Sequence, residues 1–78
     1  MKVLFYGRLA DAIGREIEVA APGGCSVGEV RRRVAASHGA AAAELDRSRT
    51  LIANRLVGDD QPVDEADELE FLPPVSGG

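Results

Sequence analysis

A chain of 78 residues, 45% hydrophobic and 28% charged, has the composition of one small globular domain and too little length for a second core. Its single cysteine excludes a disulfide framework, and Cys25 and His38 together are too few soft ligands for a self-contained metal centre. The net charge of −4 conceals a split, because the residues up to Arg55 carry +3 while Leu56 to Gly78 hold seven acids and no base, which leaves no dominant basic face for nucleic acid.

Lys2 to Tyr6 is apolar and aromatic, the pattern of a strand covered on both faces, with Val3 and Phe5 on one side and Lys2, Leu4 and Tyr6 on the other. It turns polar at Gly7-Arg8, too soon for the apolar segment of a signal peptide. Leu9, Ala12 and Ile13 suggest a short or irregular helical turn stopped by Gly14. Glu16 to Ala20 alternates as a half-exposed strand with Ile17 and Val19 inward, and Pro22-Gly23-Gly24 breaks it. Ser26 and Glu29 have the spacing of a capping box, and Val27, Val30, Val34 and Ala35 then share one helix face. The helix is expected to hold His38 in its last turn and to stop at Gly39. Ala40 to Leu45 reads as a further short helical piece. Leu51 to Asn54 reads as a strand that leaves through Gly58-Asp59-Asp60, and Leu69 to Leu72 as a last strand cut off by Pro73-Pro74.

The order strand, strand, helix, strand, strand predicts an α+β fold, a mixed sheet covered on one face by a helix, which is the β-grasp arrangement. Its core would join Val3, Phe5, Ile17, Val19, Leu69 and Phe71 to Val27, Val30 and Val34. Residues 1–72 form the domain in this reading, and 73–78 an extended Gly-Gly tail. No apolar run approaches the ~18–20 residues of a membrane span. With the lone cysteine, that gives the expectation of a reducing, cytoplasmic setting without membrane or nucleic-acid partners.

Signatures of phosphate binding, metal hydrolysis, dithiol redox and serine hydrolysis are all missing. Cys25 precedes a helix start, where a thiol can become reactive. A packing role against Val30, as the staple of the capping box, is favoured because no base or acid pair stands beside it. Arg31-Arg32-Arg33 spreads over most of the helix circumference, so a solvated face with one partner contact is favoured over an anion site. Outward-facing Leu4, Tyr6 and Leu72, with Leu56, make a candidate partner patch. The acids near the C-terminus suit a basic partner surface. Pro73-Pro74 is a stiff spacer, and Gly77-Gly78 a bare tip able to thread a narrow channel and present a carboxylate for activation.

Asp67-Glu68-Leu69-Glu70-Phe71-Leu72-Pro73-Pro74-Val75-Ser76-Gly77-Gly78 resembles the ending of the molybdopterin synthase small-subunit family. Lys2 to Leu9 with Ile13-Gly14 resembles that family's first strand and turn. Leu51 to Asn54 with Pro62-Val63 resembles its third strand and following loop. The likeness is weakest between Gly39 and Arg49. It implies a ubiquitin-like sulfur carrier with no tightly bound cofactor. An activating enzyme would use ATP to adenylate Gly78 and convert it to a thiocarboxylate, and Gly77 would let it pass. Tyr6, Leu56, Leu72, Pro73, Pro74 and Val75 would contact the large subunit in a heterotetramer, where the sulfur goes to cyclic pyranopterin monophosphate. The catalytic groups would belong to that partner. The same fold in thiazole or cysteine synthesis, in protein modification, or as an unmodified interaction module are the alternatives.

Overall fold

The computed structural model describes residues 1–20 and 25–74. They form a five-stranded sheet with the elements β1 (Lys2–Phe5), α1 (Gly7–Ile13), β2 (Glu16–Glu18), α2 (Val27–Ser37), α3 (Ala42–Asp46), β3 (Arg49–Ile52), β4 (Arg55–Val57) and β5 (Glu68–Leu72). A single 3₁₀ turn, Gly39–Ala41, joins α2 to α3. The strand order is β2-β1-β5-β3-β4. The two central strands, β1 and β5, run parallel with Val3 opposite Leu69 and Phe5 opposite Phe71, and the other neighbours are antiparallel. This is the expected β-grasp.

Alternation fixes the inner face. Val3, Phe5, Leu69 and Phe71 are fully buried or nearly so, and the rings of Phe5 and Phe71 stack with centroids 5.6 Å apart. Val27, Val30 and Val34 of α2 close over them, joined by Leu9, Leu45, Cys25 and Val63. The capping box is present: Ser26 Oγ accepts from Glu29 N–H at 3.2 Å, and Glu29 Oε1 accepts from Ser26 N–H at 3.3 Å. The two remaining amides at that helix start, Val27 and Gly28, donate to the carbonyls of Gln61 and Asp59. The loop after β4 therefore finishes the cap, and the helix start is satisfied internally.

Several elements differ from the sequence reading, each for a local reason. The segment before Gly14 is a seven-residue helix, α1, ended by Gly14 at φ +116°. β2 stops at Glu18, yet Val19 still donates its N–H to Met1 O and packs on the core. His38 is the residue after α2 rather than part of its last turn, and Gly39 opens the 3₁₀ turn instead of acting as a left-handed stop. β3 lies two residues earlier than expected. It turns at Ala53-Asn54, both at positive φ, into the unpredicted strand β4. Two consecutive left-handed residues give the tight hairpin whose twist matches the strands it joins.

The largest correction concerns Arg31, read as part of a solvated face. Its side chain lies inside the domain, only 11% exposed. The guanidinium donates to Thr50 Oγ1 and Ser48 Oγ at 2.8 Å, to Ser48 O at 3.2 Å, and to the Leu45 carbonyl. Asp59 Oδ1 pairs with it at 3.0 Å, and Arg31 Cζ lies over the Phe71 ring, 5.2 Å from its centroid. Arg31 thus ties α2 to the start of β3 and to the capping loop. Arg33 donates to Ala20 O at 2.8 Å, and Arg32 is exposed.

Candidate functional site

The helices cover one face of the sheet and leave the other open. Register places one residue from each strand in a row across that open face: Glu16, Leu4, Glu70, Leu51 and Leu56. Beside it lie Glu18, Lys2 and Glu68, and on the other side Arg49 opposite Leu72. Leu56 is 67% exposed and Tyr6 41%, while Leu4, Leu51 and Leu72 are half-buried. Glu70 of the central strand therefore stands between Leu4 on one side and Leu51 with Leu56 on the other, and Glu16, Glu18 and Glu68 against Lys2 and Arg49 make the surroundings mostly acidic.

The outward placement expected for Leu56 and Leu72 follows from the register, and Tyr6, the residue after β1, is exposed as expected. The structure adds Leu51, which follows from its antiparallel pairing with Leu56. The Tyr6 hydroxyl donates to Glu70 Oε2 at 2.5 Å, tying the end of β1 to β5. This bond to a carboxylate raises the Tyr6 pKa above its ordinary value, helped by desolvation and by the charges of Glu70 and Glu68.

The root of the tail leaves the end of a central strand. β5 ends at Leu72, and proline at 73 has no N–H to extend the ladder. Pro73 and Pro74 are half-buried. Gly7, at φ +58° in the β1–α1 turn, lies directly against the Pro73 ring. The expected contact residue Val75 and the expected chemical residues Gly77 and Gly78 lie outside the described residues.

Cys25 is 3% exposed and belongs to the same buried cluster as Val30, the packing arrangement favoured from the capping box. Among the described residues no three His, Cys, Asp or Glu side chains are placed to hold a metal ion. None of their helices is long and apolar enough to cross a membrane.

The model of the ThiS family matches residues 3–78. The molybdopterin synthase sulfur carrier subunit of Escherichia coli (strain K12) is 32% identical over 80 residues, covering 100% of this chain and 99% of that protein. Among solved structures, the small archaeal modifier protein SAMP1 of Haloferax volcanii superposes with a TM-score of 0.84 at 24% identity, covering 99% of this chain and 97% of that one. At that identity the likeness is one of fold. The Haloferax volcanii HVO 2177 protein gives a TM-score of 0.79 at 25% identity, over 99% of this chain and 84% of its own.

Proposed function

The chain belongs to the ThiS family, and from that premise we propose that it is the sulfur carrier of a molybdopterin synthase. The observation that carries this reading is the match to the Escherichia coli sulfur carrier subunit along the full length of both chains. Pro73 and Pro74 follow directly on β5, and Val75-Ser76-Gly77-Gly78 come next in the sequence. In this reading residues 1–72 are the head and 73–78 the reactive arm.

The Gly78 carboxylate attacks the α-phosphorus of ATP on an activating enzyme, forming an acyl-adenylate and releasing pyrophosphate. Sulfide-level sulfur, delivered as hydrosulfide, then attacks the acyl carbon and displaces AMP, leaving a thiocarboxylate in place of the carboxylate. The arm enters the large subunit, where the thiocarboxylate sulfur bonds to a carbon of cyclic pyranopterin monophosphate as a carbon–oxygen bond at that carbon breaks. Water then hydrolyses the resulting thioester, leaving the sulfur on the pterin as a thiolate and returning Gly78 to the carboxylate. Gly77 has no side chain to obstruct a narrow channel. Pro73 and Pro74, with fixed φ and no N–H, stiffen the root of the arm. Leu4, Tyr6, Leu51, Leu56 and Leu72 supply the apolar contact with the large subunit, and the surrounding acids favour a basic rim on it. The reacting atom is all this chain contributes to the chemistry. Acid–base groups come from the large subunit.

The test is reconstitution with a molybdopterin synthase large subunit, the activating enzyme, ATP, a sulfur source and cyclic pyranopterin monophosphate. Dithiolene product should form with the full chain. A chain lacking Gly77 and Gly78 should bind the large subunit through its head and form none. Product from a thiazole-forming partner, with none from the molybdopterin partner, would assign the carrier to the other pathway.

A further inference from the structure

The parallel register of β1 and β5 sets Phe5 opposite Phe71, so the chain leaving β1 and the chain leaving β5 run side by side. One leads into the β1–α1 turn, the other into the tail. They touch at Gly7 and Pro73. A Cβ at position 7 would lie 3.0 Å from Pro73 Cγ, 3.8 Å from Cδ and 3.9 Å from Cβ, which is closer than such carbons pack without displacement. Gly7 also has φ +58°, a left-handed backbone that most residues with side chains resist.

The neighbour at issue is a closed ring. A flexible side chain can rotate away from an intruding methyl group, but a proline ring cannot move without moving its own backbone. That backbone is the root of the tail. Pro74 stiffens the next link, so a shift of a few tenths of an ångström at Pro73 moves the root of the tail as a unit. Tyr6, the residue before Gly7, is held to β5 by its bond to Glu70. The turn is thus anchored on one side of Gly7 and presses on the tail at Gly7 itself.

We infer that Gly7 is a positioning residue, whose missing side chain sets the direction in which the tail leaves the head. This rests on the sulfur-carrier reading above. In that reading head docking and tail insertion must be satisfied at once, and a preset exit direction removes a search from the second step. Gly7 touches no reacting atom and acts only through Pro73.

Asparagine separates the two properties of the position. Gly7→Asn accepts the left-handed backbone, but its Cβ meets the Pro73 ring. Pro73→Ala removes the ring atoms nearest that Cβ. Four chains carry the test: wild type, Gly7→Asn, Pro73→Ala and the double variant. Each is loaded with sulfur and mixed with excess large subunit and cyclic pyranopterin monophosphate in single turnover. The matching chains without Gly77-Gly78 are titrated against the large subunit. Gly7→Asn should slow transfer by roughly 10-fold or more, the scale of an ångström-sized misplacement. The truncated Gly7→Asn head should bind like the truncated wild type. In the Pro73→Ala background Gly7→Asn should cause no further loss.

Wild-type transfer by Gly7→Asn overturns the inference and leaves the carrier reading standing. An equal loss in the Pro73→Ala background also overturns it, as does weaker binding of the truncated Gly7→Asn head. A wild-type chain that transfers no sulfur overturns both. Should Gly7→Asn fail to fold, one glycine inserted between Leu72 and Pro73 uncouples the tail from Gly7. That insertion should slow transfer to a similar degree, and an unchanged rate would refute the role.

Discussion

Replacing Arg31 by alanine should remove much of the stability of this domain. The side chain is 11% exposed and its guanidinium reaches the acceptors of three different segments. The Leu45 carbonyl would keep the Ser48 N–H and hydroxyl as donors. Ser48 O and Thr50 Oγ1 would lose theirs, and Thr50 is only 1% exposed. Each buried acceptor left without a donor costs about 1–2 kcal/mol. Loss of the contact with the Phe71 ring adds about 0.5–1 kcal/mol. The Asp59 carboxylate is 59% exposed, so its pairing adds no more than about 0.5 kcal/mol. The total is about 2.5–5.5 kcal/mol, against a whole stability of about 4–12 kcal/mol for a domain this size. Arg31→Lys keeps the charge but not the fork, and should lose more than half as much. Urea unfolding followed by far-ultraviolet circular dichroism reads both. An Arg31→Ala midpoint equivalent to less than about 1 kcal/mol of loss would refute the internal role, because that is the range of an ordinary surface change.

Leu56→Asp should leave the free domain within about 0.5 kcal/mol of wild type and weaken binding of the large subunit by about 10-fold or more, whereas Phe71→Asp should unfold it. Thermal melts paired with titration decide this, and a melted Leu56→Asp domain would reverse the assignment of faces. Tyr6 is the sole tyrosine in a chain without tryptophan, so its ionisation can be followed by tyrosinate absorbance. It should titrate above its ordinary value of 10.0 and return towards it in Glu70→Ala. Because the neutral phenol is favoured in the folded state, this bond's stabilisation is complete below that ordinary value. It is lost as pH rises through the higher folded one. Cys25→Ser should fold with modest loss and accept sulfur as wild type does; loss of loading in the folded variant would move the chemistry from the tail to the thiol.

Much of the head was legible because its signals are local. Alternation at Val3 and Phe5, and again at Leu69 and Phe71, gave the inner faces of the central strands. Ser26 and Glu29 marked the start of α2, since the cap bonds join residues three apart. The features that escaped depend on distant partners or very short runs. β4 is three residues long and its hairpin turns on Ala53-Asn54, whose positive φ has only asparagine as a sequence cue. Without β4, Leu51 had no reason to join the patch. Arg31 looked like its neighbours Arg32 and Arg33, because its partners lie 14 to 28 residues away along the chain. The contact of Gly7 with Pro73 likewise spans nearly the whole sequence and follows only from the parallel pairing of β1 with β5.

The most direct test of the carrier reading is intact-mass analysis after incubation with activating enzyme, ATP and a sulfur source, followed by fragmentation to place the change. The account predicts one sulfur in place of one oxygen, located on Gly78, in wild type and in Cys25→Ser alike. An unchanged mass in the presence of active enzyme, or sulfur found on Cys25, would contradict it.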